Sequence, residues 1–260
     1  MLFRVRMPPV MASSPQTPRR PLDSRIALTR SKARQVYDKF GSKANDAESA
    51  YGSPTTELLI ELSRLEEAEQ LVEFGHGSGA FAYRLFERNL LPPSCQYTGV
   101  DQSTTMADRA AAKLHPYKDR VELRLTNGAP ADGTKHLADA SVDRYISTYV
   151  LDLLSEEDVL EVLEEARRLL RPEGLLCVCG ITYGTNVSSR LAAALWDGIF
   201  WWNKEIVGGC RPQRLAPYLE EAGFEVREQR IIQGDQRSFV GCMNNEVVVA
   251  TPRSGGRDSL

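Results

Sequence analysis

The 260-residue chain has few of the residues that build metal centres, disulfide frameworks or membrane spans. Its five cysteines form no CxxC pair, and its three histidines show no metal-ligand spacing. No apolar run approaches the roughly 20 residues that cross a bilayer. We therefore expect no metal ion and no membrane span. Because scattered thiols suit a reducing compartment, we also expect a cytoplasmic protein.

The chain also lacks a net positive charge, since 35 acidic residues outnumber 32 lysines and arginines, the formal net charge is −3 and the isoelectric point is near 5.8. The chain has no general basic field that would neutralise nucleic-acid phosphates. We therefore expect no nucleic-acid partner and favour a small-molecule substrate. This length accommodates one α/β domain with extensions, which we place at residues 31–252, as a monomer or a homodimer.

The N-terminus differs in composition from the rest of the chain. Over the first 37 residues, lysines and arginines outnumber acidic residues eight to one, and prolines interrupt any helix. This composition predicts a disordered tail over residues 1–30, with import into an organelle as the alternative interpretation. Residues 253–260 are predicted to be a flexible C-terminus.

The segment from Leu71 to Gly79 reads as a buried strand followed by a turn with glycine at every second position. Such glycines let the backbone approach a ligand closely. Dinucleotide sites favour GxGxxG, whereas this turn is GxGxG. Glu73, ahead of the turn, would repel a pyrophosphate and attract a cation. Asp101 ends the next predicted strand, where an acidic residue holds ribose hydroxyls.

Glu73 to Gly79 together with Asp101 resemble the cofactor signature of the class I S-adenosylmethionine-dependent methyltransferases, and the likeness extends over residues 65–185. The resemblance implies that the glycine turn cradles the methionine part of S-adenosyl-L-methionine and that Asp101 holds its ribose. It also implies that Asn127, where an aspartate is common, lies near the adenine. The cofactor-binding residues expected on this basis are Tyr37, Glu73, Gly75, His76, Gly77, Gly79, Asp101, Gln102, Asn127, Gly128, Ala129, Ser147 and Tyr149.

Predicted strands alternate with predicted helices along most of the chain, which indicates a parallel sheet covered on both faces. The predicted fold is α/β: a Rossmann-like, doubly wound, seven-stranded, mostly parallel sheet that ends in a C-terminal antiparallel hairpin. The predicted strands are 71–74, 96–100, 120–125, 142–148, 174–181, 224–232 and 246–251. The predicted helices are 31–40, 54–65, 78–90, 103–114, 156–170 and 211–222.

Two segments are predicted to cover the site: a helical lid at residues 31–66 and an acceptor cap at residues 183–212. On a helical wheel, the cap carries an apolar stripe that is most simply core. The stripe consists of Leu191, Leu195, Ile199, Trp202 and Ile206. Trp201 falls on the opposite side with Arg190 and Asp197, which implies a ligand, a partner chain or a helix buried all round.

Methyl transfer needs mainly geometry, because a sulfonium is already activated and proximity supplies much of the rate. The catalytic residues are therefore unknown, and the candidates are Tyr149, Tyr183, Trp201 and Arg211. We expect a methyltransferase that acts on a small organic acceptor. The alternatives are a protein or nucleic-acid methyltransferase and a non-catalytic S-adenosylmethionine-binding module. An Asn-Pro-Pro-Tyr motif, which methylation of base amino groups would call for, does not follow the fourth strand.

Overall fold

The computed structural model describes residues 27–41, 54–233 and 243–253. Seven strands form one sheet, in the order β3-β2-β1-β4-β5-β7-β6. The strands are β1 Gln70–Phe74, β2 Gln96–Asp101, β3 Val121–Leu125, β4 Val142–Thr148, β5 Leu170–Thr182, β6 Phe224–Ile232 and β7 Asn244–Pro252. The helices are α1 Arg30–Gly41, α2 Pro54–Leu62, α3 Ala80–Glu87, α4 Thr104–Leu114, α5 Pro130–Thr134, α6 Glu156–Leu169, α7 Val187–Trp202 and α8 Ala216–Glu221.

The sheet is parallel from β3 to β5, and β7 then pairs antiparallel with both β5 and β6. This arrangement confirms the predicted fold, including its C-terminal antiparallel strands. The strand order reverses at β1, which pairs with β2 on one side and with β4 on the other. In open α/β sheets, ligands bind at such a reversal, beyond the carboxyl ends of the strands.

The core lies on both faces of the sheet, because the central strands are buried on both sides. Along β1, Leu71 packs in the cluster with Phe81 and Tyr97, whereas Val72 packs in the opposite cluster with Tyr145. Helices α2 and α3 contribute to the first cluster, and α6 and α8 contribute to the second. The sheet therefore holds the carboxyl ends of β2, β1 and β4 side by side.

The prediction of a helix over residues 211–222 is wrong in its first half, because α8 begins only at Ala216. Residues 211–215, before it, form no regular helix. The backbone N–H groups of two of them donate to carbonyl groups of neighbouring segments instead. Arg211 N donates to Asp152 O at 3.2 Å, and Gln213 N donates to Ile181 O at 3.0 Å. The short helix α5 was not predicted, since five residues are too few to show the apolar periodicity of a helix.

The prediction that the apolar stripe of the cap faces the core is also wrong. Leu191 is 60% exposed, Leu195 52% and Trp202 80%, and Ile206 lies beyond the end of α7 and is 55% exposed. The buried face of α7 instead carries Ser189, Ala192, Ala193 and Phe200. The helix packs through its small residues and Phe200, whereas most of its large apolar side chains are exposed.

Candidate functional site

A pocket opens at the carboxyl ends of β1, β2 and β4, where the fold predicts a ligand. The glycine turn and the ends of β1 and β2 form one side, and α1 forms the other. The wall consists of Leu28, Arg30, Ala33, Tyr37, Phe74, Gly75, Gly77, Ser78, Val100, Asp101, Gln102, Met106, Thr126, Gly128, Thr148, Tyr149, Val150, Leu153, Leu154 and Asp158.

The glycine turn has a backbone that few other residues can adopt. Gly75, Gly77 and Gly79 have φ angles of 78°, 51° and 73°, all in the left-handed region. Gly75 N donates to Val100 O at 2.7 Å, which fixes the start of the turn against β2. A methyl group added at Gly75 would lie 2.3 Å from Val150 Cγ2. The turn is therefore a cradle that a side chain would fill.

Asp101 links the glycine turn to the start of the next helix. Its Oδ2 accepts a hydrogen bond from Gly77 N at 2.9 Å, and its Oδ1 accepts one from Ser103 N at 2.8 Å. Each carboxylate oxygen keeps a further lone pair, and the side chain lines the pocket. This geometry can accept hydrogen bonds from two adjacent hydroxyl groups.

Glu73 is buried beneath the turn and does not line the pocket. Its Oε2 accepts a 2.6 Å hydrogen bond from the hydroxyl of Tyr97. Burial raises the pKa of Glu73 to about 8, with a smaller raising effect from Asp101 and an opposing effect from Tyr97. Its Oε1 has no hydrogen-bond partner. An orphaned carboxyl oxygen beside the cradle fits a ligand with a cationic group.

At the far end of the pocket, Thr126 and Gly128 line the wall, whereas Asn127 is exposed and outside it. Asn127 Oδ1 accepts from Ala129 N at 3.0 Å and so stabilises the turn itself. Gly128 has a φ of 107°, and the side chain of Arg30 lies 2.8 Å from the position that its Cβ would occupy. The first helix therefore covers this end of the pocket.

Two other predicted site residues are buried behind the wall. His76 places Nδ1 2.8 Å from Gly77 O, and burial lowers its pKa despite the opposing charge of Asp101. Ser147 Oγ donates to Phe74 O at 3.1 Å. Both side chains support the backbone next to the pocket.

The predicted cofactor residues thus divide into two groups. Those on the wall are Tyr37, Gly75, Gly77, Asp101, Gln102, Gly128 and Tyr149. Those outside it are Glu73, His76, Gly79, Asn127, Ala129 and Ser147. Sequence reasoning missed Arg30 and Asp158, which are ion-paired at 2.6 Å across the pocket mouth. It also missed Thr126 and Thr148, which directly neighbour predicted residues and whose positions at strand ends were the available signal.

A buried polar cluster lies beyond the ends of β4 and β5. Asp152 is 1% exposed, and burial raises its pKa to about 6 although Ile181 N and the charge of Arg211 lower it. Arg211 is buried, and its Nη2 donates to Leu154 O, on the pocket wall, at 2.7 Å. Neither Asp152 Oδ1 nor Arg211 Nε and Nη1 has a hydrogen-bond partner.

The other candidate catalytic residues do not all belong to this cluster. Tyr183 is half-buried and interacts electrostatically with Arg211. Tyr149 has a φ of 56°, an uncommon conformation for a non-glycine residue, and its N donates to Cys179 O at 2.8 Å. Trp201 is 65% exposed and does not line the pocket. The cluster therefore groups Arg211 with Tyr183 and leaves Trp201 outside.

Within the described part of the chain, no helix is long and apolar enough to cross a membrane. The same residues contain no group of three or more histidine, cysteine, aspartate or glutamate side chains that could hold a metal ion.

Comparison with known proteins agrees with the geometry of the pocket. Residues 72–176 match a family profile described as a methyltransferase domain. The human thiol S-methyltransferase TMT1B is 31% identical over 186 residues, which are 68% of this chain and 70% of that protein. The carboxy-S-adenosyl-L-methionine synthase of Aeromonas salmonicida (strain A449) is 25% identical over 143 residues, 55% of this chain and 56% of that protein.

Among solved structures, the cyclase SpnF superposes with a TM-score of 0.63 at 18% identity, over 88% of this chain and 98% of its own. At this identity the likeness shows the fold alone.

Proposed function

Because this chain belongs to the class I S-adenosylmethionine-dependent methyltransferases, enzymes whose methyl donor is S-adenosylmethionine, we propose that it methylates a small organic acceptor and that the acceptor is a thiol. The observation that carries donor binding is the glycine turn tied by Asp101 to β2. The thiol is supported by the 31% identity to the human thiol S-methyltransferase.

The residues of the pocket fit the donor. We assign Asp101 to the ribose hydroxyls and the glycine turn to the methionine part. Glu73 lies behind the turn, and we assign its orphaned Oε1, which accepts hydrogen bonds even when the carboxyl is protonated, to the ammonium group of the donor. Gly128 and Gln102 are assigned to the adenosine end. The left-handed backbone of the glycine turn and the orphaned Oε1 of Glu73 support this fit. When bound, the cofactor supplies a methyl group on a sulfonium that is already activated for attack.

The first helix is assigned the role of a lid over the donor, as part of residues 31–66. Arg30 donates to Asp158 at 2.9 Å and 2.6 Å. Lys32 pairs with Glu205 at 2.8 Å, and the side chain of Tyr37 is hydrogen-bonded to Cys210. The contacts of Lys32 and Tyr37 join the lid to the cap at residues 183–212, and that of Arg30 joins it to α6. A lid held in this way excludes water and keeps the reacting atoms in line.

Arg211 and Asp152 are assigned to the acceptor. A buried guanidinium with two free nitrogens suits an acidic group on the acceptor. Asp152, whose pKa is about 6, is charged near neutral pH and can accept the proton that a thiol loses. The resulting thiolate would be the nucleophile for the methyl group of a bound donor, whose sulfonium sulfur would leave as the thioether of S-adenosylhomocysteine. Tyr149 and Tyr183 are assigned to the acceptor side as well. Of the other predicted cofactor residues, His76, Asn127 and Ser147 are assigned to supporting the backbone next to the pocket.

The test incubates the purified protein with deuterated methyl donor and cell extract, followed by mass spectrometry of small-molecule and macromolecular fractions. A panel of small thiols and matched alcohols is assayed in parallel, with Asp101→Ala as the inactive control. We expect label in small thiols only.

Label confined to proteins or nucleic acids would contradict the small acceptor, as would a carboxylated donor without any methylated product. Tight donor binding without turnover would indicate a binding module. The cytoplasmic location stays a prediction.

A further inference from the structure

The outer face of α7 and the turn after it is made of large apolar side chains in contact with solvent. Its members, which we call the α7 face, are each more than half exposed: Val187, Leu191, Leu195, Trp201, Trp202 and Ile206. Single exposed apolar residues are normal on proteins, but contiguous patches of this kind mark interaction sites. The two tryptophans alone can bury about 150–250 Å² each, so the face can supply a large part of the roughly 800 Å² that one partner contributes to a standard interface.

The α7 face is not an accident of poor packing, because the opposite face of the same helix is well buried. Ala192 and Ala193 pack against Met243, and Phe200 is 1% exposed. Trp196 Nε1 donates to Cys210 O at 2.9 Å, which fixes the rotation of the helix about its axis. The orientation that exposes the large side chains is therefore set by specific contacts.

The α7 face has three large side chains on each side of Gly198, and Leu195 and Trp201 are equidistant from it. Val187, Leu191 and Leu195 precede this glycine, and Trp201, Trp202 and Ile206 follow it. Dimers with two-fold symmetry use one patch on both subunits, so the patch must match itself when it is reversed. A face with bulky residues on both sides of its centre satisfies that requirement.

The centre of the α7 face is a notch. Gly198 is exposed, and no atom lies within 4 Å of the position that its Cβ would occupy. Ala194, one turn earlier, is also small and exposed. In an antiparallel pair that crosses at Gly198, residues equidistant from the axis face each other. Trp202 of each copy then lies opposite Ala194 of the other, so a ridge enters a groove.

We propose that two copies of this chain form a dimer in which the α7 faces pack antiparallel across a two-fold axis at Gly198. A lipid surface fits the face less well. Helices that lie on membranes carry an excess of lysine and arginine on their polar side. Within α7, Arg190 and Asp197 are the charged residues and they cancel.

The first test measures the mass of the full chain in solution by analytical ultracentrifugation over a concentration series. We expect a dimer, and we expect Trp202→Glu and Leu195→Glu each to weaken it by at least about tenfold. Gly198→Gln should weaken it as well by filling the notch, although the Cβ of the new side chain meets nothing in the monomer outside the helix itself. Ala111→Gln, at an exposed position of α4, is the matched control. Thermal melting and S-adenosylhomocysteine binding verify the fold of every variant.

The second test examines the register. Gly198→Cys places two thiols near the proposed axis, so mild oxidation should produce an interchain disulfide that Ala111→Cys and the wild-type protein do not form. A monomer at every concentration would overturn the proposal, and so would a dimer that Trp202→Glu leaves intact. Equal crosslinking of Gly198→Cys and Ala111→Cys would refute the axis. A monomer that binds anionic phospholipid vesicles through Trp202 would replace the dimer with a lipid surface.

Discussion

The hydroxyl of Tyr97, on β2, donates a 2.6 Å hydrogen bond to Oε2 of Glu73, on the neighbouring strand β1. Glu73 pairs in register with Gly99, and the side chains of His76, Leu123 and Tyr97 fill the space over that glycine. Because the carboxyl is fully buried, its pKa rises to about 8 and it is mostly protonated at neutral pH. The folded protein therefore binds this proton more tightly than the unfolded chain does, so its free energy of unfolding depends on pH.

The first prediction concerns that dependence. In the unfolded chain Glu73 ionises near its ordinary value of 4.5, whereas in the folded protein it keeps its proton up to about pH 8. The stabilisation is complete below pH 4.5 and is lost as pH rises toward 8. Relative to Glu73→Gln, the wild-type free energy of unfolding should fall by about 1 kcal/mol per pH unit. Urea denaturation from pH 5 to pH 8 measures this.

Glu87→Gln is the control for this prediction, because Glu87 is exposed on α3. It should follow the wild type at every pH. Parallel stability curves for the wild type and Glu73→Gln would show that Glu73 does not carry the proton.

The second prediction concerns Asp101. Asp101→Ala removes the acceptors for Gly77 N and Ser103 N as well as the proposed ribose contact. Hydrogen bonds to a charged group are each worth about 1.5–3 kcal/mol, so affinity for S-adenosylhomocysteine should fall by roughly a hundredfold. Calorimetric titration measures the loss. Asp108→Ala, an exposed aspartate on α4, should bind like the wild type, and undiminished affinity in Asp101→Ala would remove Asp101 from the site.

The third prediction separates strain from contact at the glycine turn. Gly75→Ala imposes a φ of 78° on a residue with a side chain and brings its Cβ to 2.3 Å from Val150 Cγ2. The first effect costs about 1–2 kcal/mol, and the clash adds to it. In a Val150→Ala background, only the Cβ contact at 3.2 Å remains. Gly75→Ala should therefore destabilise that background less, as a double-mutant cycle by urea denaturation will reveal.

Additive costs in the cycle would mean that Val150 does not contact residue 75. Binding of S-adenosylhomocysteine should be weakened in both backgrounds, since the strained φ at position 75 distorts the glycine turn in each.

The sequence could predict the parts of the fold that arise from local pattern. The alternation of apolar strands and helices and the glycine turn after β1 are dictated by neighbours in the chain, and they placed Gly75 and Asp101 correctly at adjoining strand ends. The ion pair of Arg30 with Asp158 joins residues 128 positions apart, and no local pattern encodes it. Only the three-dimensional path of α1 brings them together.

The orientation of α7 was beyond sequence reasoning for a different reason. The helix is apolar on more than one side, so its hydrophobic pattern does not determine which side is buried. Close packing at Ala192 and Ala193 and the hydrogen bond of Trp196 decide the rotation instead. The positive φ of Tyr149 could not be predicted from the sequence either, because tyrosine does not favour that conformation.

The last prediction tests Arg211 as the residue that recognises an acidic group on the acceptor. Arg211→Lys keeps the charge beside Asp152 but loses the rigid fork, so the KM for an anionic thiol should rise about tenfold while kcat changes little. The KM for a neutral thiol of similar size should not change, because it makes no ion pair. Arg190→Lys, exposed on α7, is the control. A loss of kcat that is equal for both thiols would instead indicate that Arg211 only supports the fold around Leu154 and Phe200.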